Sequence, residues 1–498
     1  MPSLPHSSRR WLPWLLFAFA WLLTAWLRPV ALPDEGRYGG VALEMVQSGH
    51  WLTPTLFGLP YFHKPPLMYW VDAAAITLLG PVPLALRAAP LLGGLVMGLA
   101  LWLEARQRAG RAVAADALGW LAALPLGALS AQYANHDLLV AGWITLAIVA
   151  MRQALRADAR PPAARLRWLL LAWAAAAQGV LSKGLIGLVL PALVLAPWLI
   201  VRRRWADLGR ALHPLGLALF ALIALPWFLA MQQQFPAFFD YFVMEQHVRR
   251  YTQTHFNNVQ PFWFFFAVLP LATLPASARL WPALKGAVAG LRRPATDAAF
   301  DLWWLLAVLL FFSLPRSKLV GYVLPALPPL VLLLREAWAG RRGAALVKAA
   351  AAALSLAVAA GFALRGHDHA DLGAALREHL QPGDQVVQTG DAFFDLRLQA
   401  GLAQSPAVLG DWPALQRSAG DNWQRELMDA ARFAPDHGSA VLWTPERLQA
   451  ERCAGGRFWL VAPDAAQAAA VAPDARPMAR AHHGLLLQLP HPVGCPAR

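Results

Sequence analysis

The chain has 498 residues, of which 58% are hydrophobic and only 14% charged, against about 25% charged in a soluble domain. This composition, with a mean hydropathy of +0.42, excludes a cytoplasmic enzyme, a disordered chain and a disulfide scaffold, and marks a polytopic membrane protein. The net charge of +14, from 43 Lys and Arg against 29 Asp and Glu, would point to nucleic acid in a soluble protein; in a membrane protein it orients the chain, and no nucleic-acid partner is expected.

A helix crossing a bilayer needs about 20 mostly apolar residues. The first such segment runs from Trp11 to Leu32, behind Arg9 and Arg10. It lacks a small-residue cleavage site, so it reads as a retained helix and not a signal peptide. Residues 33–83 form an outside loop. Within it 66–83 is apolar but brief, closed by Pro81 and Pro83, and reads as an interfacial helix or a loop packed on the bundle. Spans follow near 84–105, 112–131, 138–155, 168–182, 184–201, 211–231, 262–282, 299–314, 318–334 and 343–365, which makes eleven, with a second long outside loop at 232–261. From residue 366 the character changes. Gln385–Gln388 and Ala440–Trp443 read as short buried strands, and 371–380 and 422–433 as helices. The expected architecture is mainly α, a polytopic membrane helical bundle over 1–365 and a soluble α/β domain over 366–498.

Charge tests this layout. With the N-terminus in the cytoplasm and 66–83 not crossing, 22 of the 43 basic residues fall in cytoplasmic loops, 9 in outside loops and 12 from Arg365 onward. Every inside loop is basic, in alternation, as the positive-inside rule requires. The C-terminal domain is then expected outside. It holds both cysteines, Cys453 and Cys495. They either pair there or remain two free thiols, and spacing alone does not choose.

The unusual polar residues gather on the outside face. The first loop carries Asp34-Glu35-Gly36-Arg37-Tyr38 and Tyr61-Phe62-His63-Lys64-Pro65-Pro66. Later turns carry Asn135-His136-Asp137, Ser182-Lys183-Gly184, Glu245 to Tyr251 with His255, and Arg316-Ser317-Lys318 with Tyr322. Charged groups at the ends of membrane helices are costly unless paired, hydrated or used. Lys64, Lys183, Lys318 and Arg249 or Arg250 suit a phosphate or diphosphate head group. A carboxylate beside them, among Asp34, Glu35, Asp137 and Glu245, can take a proton from an attacking hydroxyl. Together they fit group transfer from a lipid-linked phosphate whose tail lies in the bilayer. His63, His136, His247 and His255 share the face and, with Glu35 or Glu245, are candidate ligands for a divalent metal, although no HExxH-type spacing is present. The run Phe262-Trp263-Phe264-Phe265-Phe266 reads as an interface belt.

These residues resemble a known family. Asp34-Glu35-Gly36-Arg37-Tyr38, then Glu44-Met45, Ser48-Gly49 and Trp51, then Gly58-Leu59-Pro60-Tyr61-Phe62-His63-Lys64-Pro65-Pro66-Leu67 look like the bacterial aminoarabinose lipid A transferases. Those belong with the protein-mannosyltransferase-like GT-C glycosyltransferases. Ser182-Lys183-Gly184, Ser317-Lys318-Leu319 through Gly321-Tyr322 with Leu324-Pro325, the Asp137 position, and Glu245 through Arg250-Tyr251 to Pro261-Phe262-Trp263 fit the same pattern, over roughly residues 9–340. The resemblance implies a GT-C bundle of about 11–13 transmembrane helices in a bacterial inner membrane, with a periplasmic C-terminal domain. It implies inverting transfer of a sugar, such as 4-amino-4-deoxy-L-arabinose, from undecaprenyl phosphate to lipid A or another envelope lipid, glycan or protein.

By the same resemblance Asp34 is the principal catalytic carboxylate, with Glu35 beside it and Asp137 as the second acidic position. Lys64, Lys183, Lys318, Arg250 and Arg37 would hold the donor phosphate. Tyr38, Tyr61, Tyr322, Glu245 and His247 would position substrate. The one cofactor in prospect is a divalent metal, with His63, Glu35 and His136 as candidates, and a monomer is expected. His63 stands where the family often has Glu, and Gly36 replaces a small polar residue, which leaves metal and acceptor open. Two readings compete. A polyprenyl-lipid flippase predicts polar residues at the midplane and on both faces. An oligosaccharide ligase shares the side and the cations.

Overall fold

The computed structural model describes residues 12–156, 161–249, 258–291, 296–366, 368–418, 420, 422–492 and 495. The bundle opens with α1 (Leu12–Leu27), whose Phe19 and Leu27 are exposed as lipid-facing residues are. The outside loop that follows is itself built. α2 (Asp34–Ser48) starts behind Pro33, with Asp34 and Glu35 in its first turn, where negative charge meets the positive end of the helix dipole. A hairpin of β1 (Thr55–Leu56) and β2 (Leu59–Pro60) turns through Phe57 and Gly58, both at positive φ. α3 (Leu67–Leu79) has 13 residues, about 20 Å of helix, too short for a bilayer core of about 30 Å. It buries Met68, Tyr69, Asp72, Ala73 and Ile76 along one face, consistent with an interfacial helix.

α4 (Ala88–Ala123) is broken at Ala109 and Gly110, the latter at φ 85°. A Cβ placed on Gly98 would lie 3.5 Å from Leu118 Cδ2, so the second half folds back on the first. The two arms of this hairpin fall in the segments read as spans at 84–105 and 112–131. α5 (Pro125–Ser130) leads to α6 (His136–Leu155), which is buried along nearly its whole length. α7 (Pro162–Lys183) and α8 (Ile186–Val201) meet at a turn of Lys183, Gly184 and Leu185. They cross so closely that a Cβ on Gly187 would stand 2.2 Å from the Gly179 carbonyl carbon. α9 (Trp205–Ala211) and α10 (Pro214–Gln234) follow, then a π-helical stretch, Asp240–Arg249.

The single span expected at 262–282 is instead two helices, Phe264–Leu271 and Ala276–Gly290, bent by 111°. Pro270 and Pro275 sit at the bend and remove the amide donors a continuous helix needs. Phe262, Trp263 and Phe266 there are exposed, as an interface belt requires, while Phe265 is buried. The remaining helices are Asp297–Ser313, a 3₁₀ stretch Val320–Ala326 running into Leu327–Trp338, and Ala344–Leu364. Among the described residues five helical stretches are long and apolar enough to cross a membrane, or six with the bent pair. α1, α3 and α8 contain shorter apolar helices.

Beyond Leu364 lies a six-stranded sheet, in the order β5-β4-β3-β6-β8-β7. Its strands are β3 (Gln385–Thr389), β4 (Ala407–Leu409), β5 (Leu442–Trp443), β6 (Phe458–Ala462), β7 (Arg476–Ala481) and β8 (Gly484–Leu489). β5, β4, β3 and β6 run parallel, and β8 and β7 close the edge antiparallel. The expected strand at 440–443 is shorter, because Pro435–Val441 is helical. Cys453 and Cys495 form a disulfide that ties the helix Pro445–Ala454 to the C-terminal segment.

This domain packs on α2. Arg397 pairs with Glu44 at 2.9 Å. Phe433 packs edge-on to Phe62 and Tyr241. A Cβ on Gly36 would lie 3.1 Å from the Asp395 backbone nitrogen, so the absence of a side chain at Gly36 lets the two units close.

Polar groups are not confined to one face. At the far end of α6, about 22 Å from Asp137 by helix rise, Glu104 accepts from Arg108, Arg152 and Arg156 at 2.7–2.8 Å. Asp301 takes Arg108 at 2.5 and 2.8 Å, and Asp297 takes Arg152 and Arg156. These charges are ion-paired with one another, and an apolar core that includes Val140, Ile144 and Ile148 separates them from the outside face.

Candidate active site

A cavity of about 590 Å³ opens where α2, α6, the α7–α8 turn, the 3₁₀ stretch and the C-terminal domain converge. Its polar wall holds Asp34, Arg37, Tyr38, Tyr61, His63, Lys64, Asn135, His136, Asp137, Lys183 and Tyr322. Ten of the site residues predicted from charge and motif are thus brought to one chamber. Its apolar limb is formed by Val140 and Ile144 of α6, Ile186 and Leu190 of α8, and Phe312, Leu319 and Pro325.

Asp34 and Glu35 are neighbours with opposite fates, because successive helical residues point about 100° apart. Asp34 faces the cavity and accepts from Arg37 at 2.5 Å and from the Tyr133 hydroxyl at 3.0 Å. Glu35 turns inward, fully buried. It accepts from Arg28, from Arg87 twice, and from the Ala31 and Ala134 backbone amides, at 2.7–2.9 Å. Burial alone would raise its pKa, but the hydrogen bonds and charge of Arg87, with Arg28, bring it below the usual carboxylate range. Glu35 is therefore a strut between α1, α2 and the approach to α6, outside the cavity wall.

Lys183 sits at the vertex that the Gly179–Gly187 crossing creates. Its ammonium pairs with Asp137 and lies 4.6 Å over the Tyr322 ring. Asp137 in turn depends on Gly321, where a Cβ would fall 2.2 Å from Asp137 Oδ2. Lys64 reaches the cavity from the loop before Pro65, donating to the His63 carbonyl at 2.9 Å.

Lys318 departs from expectation. Residues 316–318 bridge to 258–260, and the Lys318 ammonium donates to the Gln260 and Pro315 carbonyls at 2.9 and 2.5 Å. It holds that crossing and does not line the cavity. Glu245 also stands off the cavity wall. The side chain of His247, and Arg250 as a whole, lie outside the described residues. The candidate metal set does not assemble: Glu35 is saturated by two arginines, and His63 and His136 are not joined by it. Among the described residues no group of three His, Cys, Asp or Glu is placed to hold a metal.

The largest surprise comes from the C-terminal domain. Asn422, Trp423 and Glu426 form one wall of the cavity. Asn422 caps the helix Trp423–Ala431 by accepting from the Arg425 amide, which fixes the first turn where Glu426 sits. Glu426 accepts from Arg37 at 2.5 and 2.6 Å and from the Tyr61 hydroxyl at 2.9 Å, with His63 Nδ1 at 3.8 Å. Burial opposes its charge, but Arg37, then His63 and Tyr61, outweigh that and hold its pKa down at about 2. Arg37 is thus gripped between Asp34 and Glu426. Its expected place on a donor phosphate is taken by two carboxylates. In sequence, only the helical stretch around 422–433 hinted at this wall.

The fold and this chamber define the class: a polytopic membrane protein of the GT-C type with a C-terminal sheet domain. The backbone superposes on ArnT from Cupriavidus metallidurans bound to undecaprenyl phosphate with a TM-score of 0.84, at 22% identity, covering 99% of this chain and all of that one. It is similar, more distantly, to the archaeal oligosaccharyltransferase AglB from Archaeoglobus fulgidus, with a TM-score of 0.52, 15% identity and coverage of 91% and 70%. The dolichyl-phosphate-mannose-protein mannosyltransferase family pattern matches residues 8–242. The undecaprenyl phosphate-alpha-4-amino-4-deoxy-L-arabinose arabinosyl transferase of Pseudomonas paraeruginosa is 35% identical over 399 residues, 77% of this chain and 69% of that protein. Transferase 2 of Pseudomonas fluorescens Pf0-1 is 35% identical over 339 residues, 67% of this chain and 61% of its own length. The chain belongs to this arabinosyl transferase family, and is a multi-pass inner-membrane protein.

Proposed function

We propose that the protein is an inverting glycosyltransferase that moves a sugar from undecaprenyl phosphate to an acceptor at the periplasmic face. The observation that carries this reading is the shape of one cavity: an apolar limb between membrane helices meeting a polar head with Lys64, Lys183, Asp34 and Asp137. A polyprenyl chain suits the limb, and its phosphate suits the lysines. The relatives' names supply 4-amino-4-deoxy-L-arabinose as the sugar to test first.

In the reaction the acceptor oxygen attacks the anomeric carbon on the face opposite the phosphate, and the carbon–phosphate-oxygen bond breaks. Lys64 and Lys183 stabilise the charge that develops on the leaving phosphate. If the acceptor is a hydroxyl, Asp34 takes its proton. If it is an ionised phosphate, as on lipid A, Asp34 orients it or offsets positive charge on the sugar. Arg37, fixed by Glu426, sets the direction of the Asp34 carboxylate in either case. Asp137 positions Lys183.

The N-terminus is proposed inside and residues 366–498 in the periplasm, with residues 1–365 as the membrane unit. Alternating basic loops support this orientation, and so does the Cys453–Cys495 disulfide, a bond that persists in oxidising compartments. The flippase reading gains a little from the second polar cluster, but that cluster is internally paired and separated from the cavity by apolar packing.

Mass spectrometry of envelope lipids and glycans with and without the gene tests the proposal. A sugar-sized mass lost from one acceptor is expected. An unchanged set of envelope lipids and glycans would overturn it.

A further inference from the structure

His136 is a predicted site residue whose chemistry the mechanism above leaves idle. It opens α6 beside Asp137, contributes to the cavity wall, and is 1% exposed. Neither ring nitrogen has a hydrogen-bond partner among the described residues. The ring is clamped edge-on by Tyr38, with centroids 4.7 Å apart and planes at 84°, and by Tyr69 at 5.4 Å and 84°. The Tyr69 hydroxyl, buried behind it, likewise has no hydrogen-bond partner among the described residues. Burying such groups unpaired is costly, and native structures rarely do so without a partner that arrives later. Phenylalanine would fill the clamp without that cost.

Position selects the partner. His136 adjoins Asp137, which holds Lys183 at the proposed phosphate end, and it touches Tyr38, the neighbour of Arg37 that is bound to Asp34. A sugar joined to the donor phosphate and attacked from the Asp34 side would lie with its ring against the wall these residues form. A neutral imidazole offers one N–H and one lone pair, which matches a hydroxyl that both donates and accepts.

We propose that His136, backed by Tyr69, is the specificity-determining subsite for a ring hydroxyl of the transferred sugar, a small turn of the imidazole within its tyrosine clamp presenting a nitrogen to the ligand. This inference rests on the glycosyltransferase reading.

The test uses the full chain in lipid nanodiscs and three proteins: wild type, His136→Phe, which keeps the ring and its edge contacts, and His136→Gln, which restores a donor and an acceptor. Two probes are compared, sugar-free undecaprenyl phosphate for binding, and undecaprenyl phosphate carrying aminoarabinose or a hexose for kcat/KM. His136→Phe is expected to bind the sugar-free lipid within twofold of wild type and to lose about 10- to 100-fold in kcat/KM, with His136→Gln recovering part of the loss. An active wild type with an equally active Phe variant overturns the subsite alone. So does a Phe variant whose binding of the sugar-free lipid falls together with its kcat/KM, because that marks a structural role. A wild type that neither binds the lipid phosphate nor transfers a sugar overturns the glycosyltransferase reading, and this subsite with it.

Discussion

Replacing Glu426 by Gln removes one charge and little volume, and it tests whether the C-terminal domain sets the catalytic geometry. The Glu426 carboxyl titrates at about 2 where 4.5 is ordinary, which corresponds to about 3 kcal/mol of preference for the ionised form. Both partners are largely shielded, with side-chain exposures of 12% for Arg37 and 14% for Glu426, so solvent screening removes little of it. Arg37 is the largest favourable contributor, and its share should lie near 1.5–3 kcal/mol, the range for hydrogen bonds to charged groups. A double-mutant cycle of Glu426→Gln with Arg37→Gln, read by thermal unfolding in detergent, should return a coupling in that range. Transfer by Glu426→Gln should fall about tenfold or more, because Arg37 then relaxes fully onto Asp34. The sign with pH follows from the lowered pKa. The stabilisation is complete above about pH 5 and is lost as pH falls through about 2, so this group should contribute in full at neutral pH and should add no pH dependence to unfolding there. A coupling below about 0.5 kcal/mol, or full transfer by Glu426→Gln, would refute the reasoning.

Four further outcomes are expected. Asp34→Asn should keep the fold and lose transfer, whereas Glu35→Gln should destabilise by about 3–5 kcal/mol, the cost of leaving buried Arg28 and Arg87 uncompensated; membrane yield and unfolding midpoints separate the two, and equal behaviour would count against the division. Gly321→Ala should displace the Asp137 carboxylate and lower transfer with little change in unfolding midpoint, and an unaffected rate would show that the contact is dispensable. Asp429 is ion-paired to Arg425 and Arg432 at 3.2 Å, yet burial pushes its pKa up to about 6; its contribution is present below about pH 4 and lost as pH rises through about 6, so Asp429→Asn should stabilise at pH 7.5 by about 1–2 kcal/mol and not at pH 4.5. Breaking the Cys453–Cys495 disulfide, which spans a separation of 42 residues, should cost up to about 4 kcal/mol on loop entropy, and thiol alkylation with mass spectrometry should find neither cysteine free in the native protein.

Much of this protein was legible in the chain. Hydropathy is a local property, and it marked the apolar helices and the change of character where the sheet domain begins. Motif spacing placed Asp34, Lys64, Asp137, Lys183 and Tyr322 together, because each lies at the end of a helix whose boundary is itself a local signal. The bend at 262–282 was not legible, because hydropathy does not see that two prolines bend a helix by 111°. The one-sidedness of the polar residues failed because Glu104 and Asp301 sit inside apolar runs, where pairing with distant arginines hides them from a loop-by-loop reading.

What tertiary structure alone decided is which charges are spent. Lys318 and Lys183 look alike in sequence, yet one ammonium is consumed by backbone carbonyls and the other faces the cavity. Glu35 follows Asp34 by one residue and is turned away by the helix into two arginines. Glu426 lies 389 residues from Arg37 and reaches it only because the C-terminal domain packs on α2. A side chain's partner depends on direction and on long-range closure of the chain, and neither is written in the residues beside it.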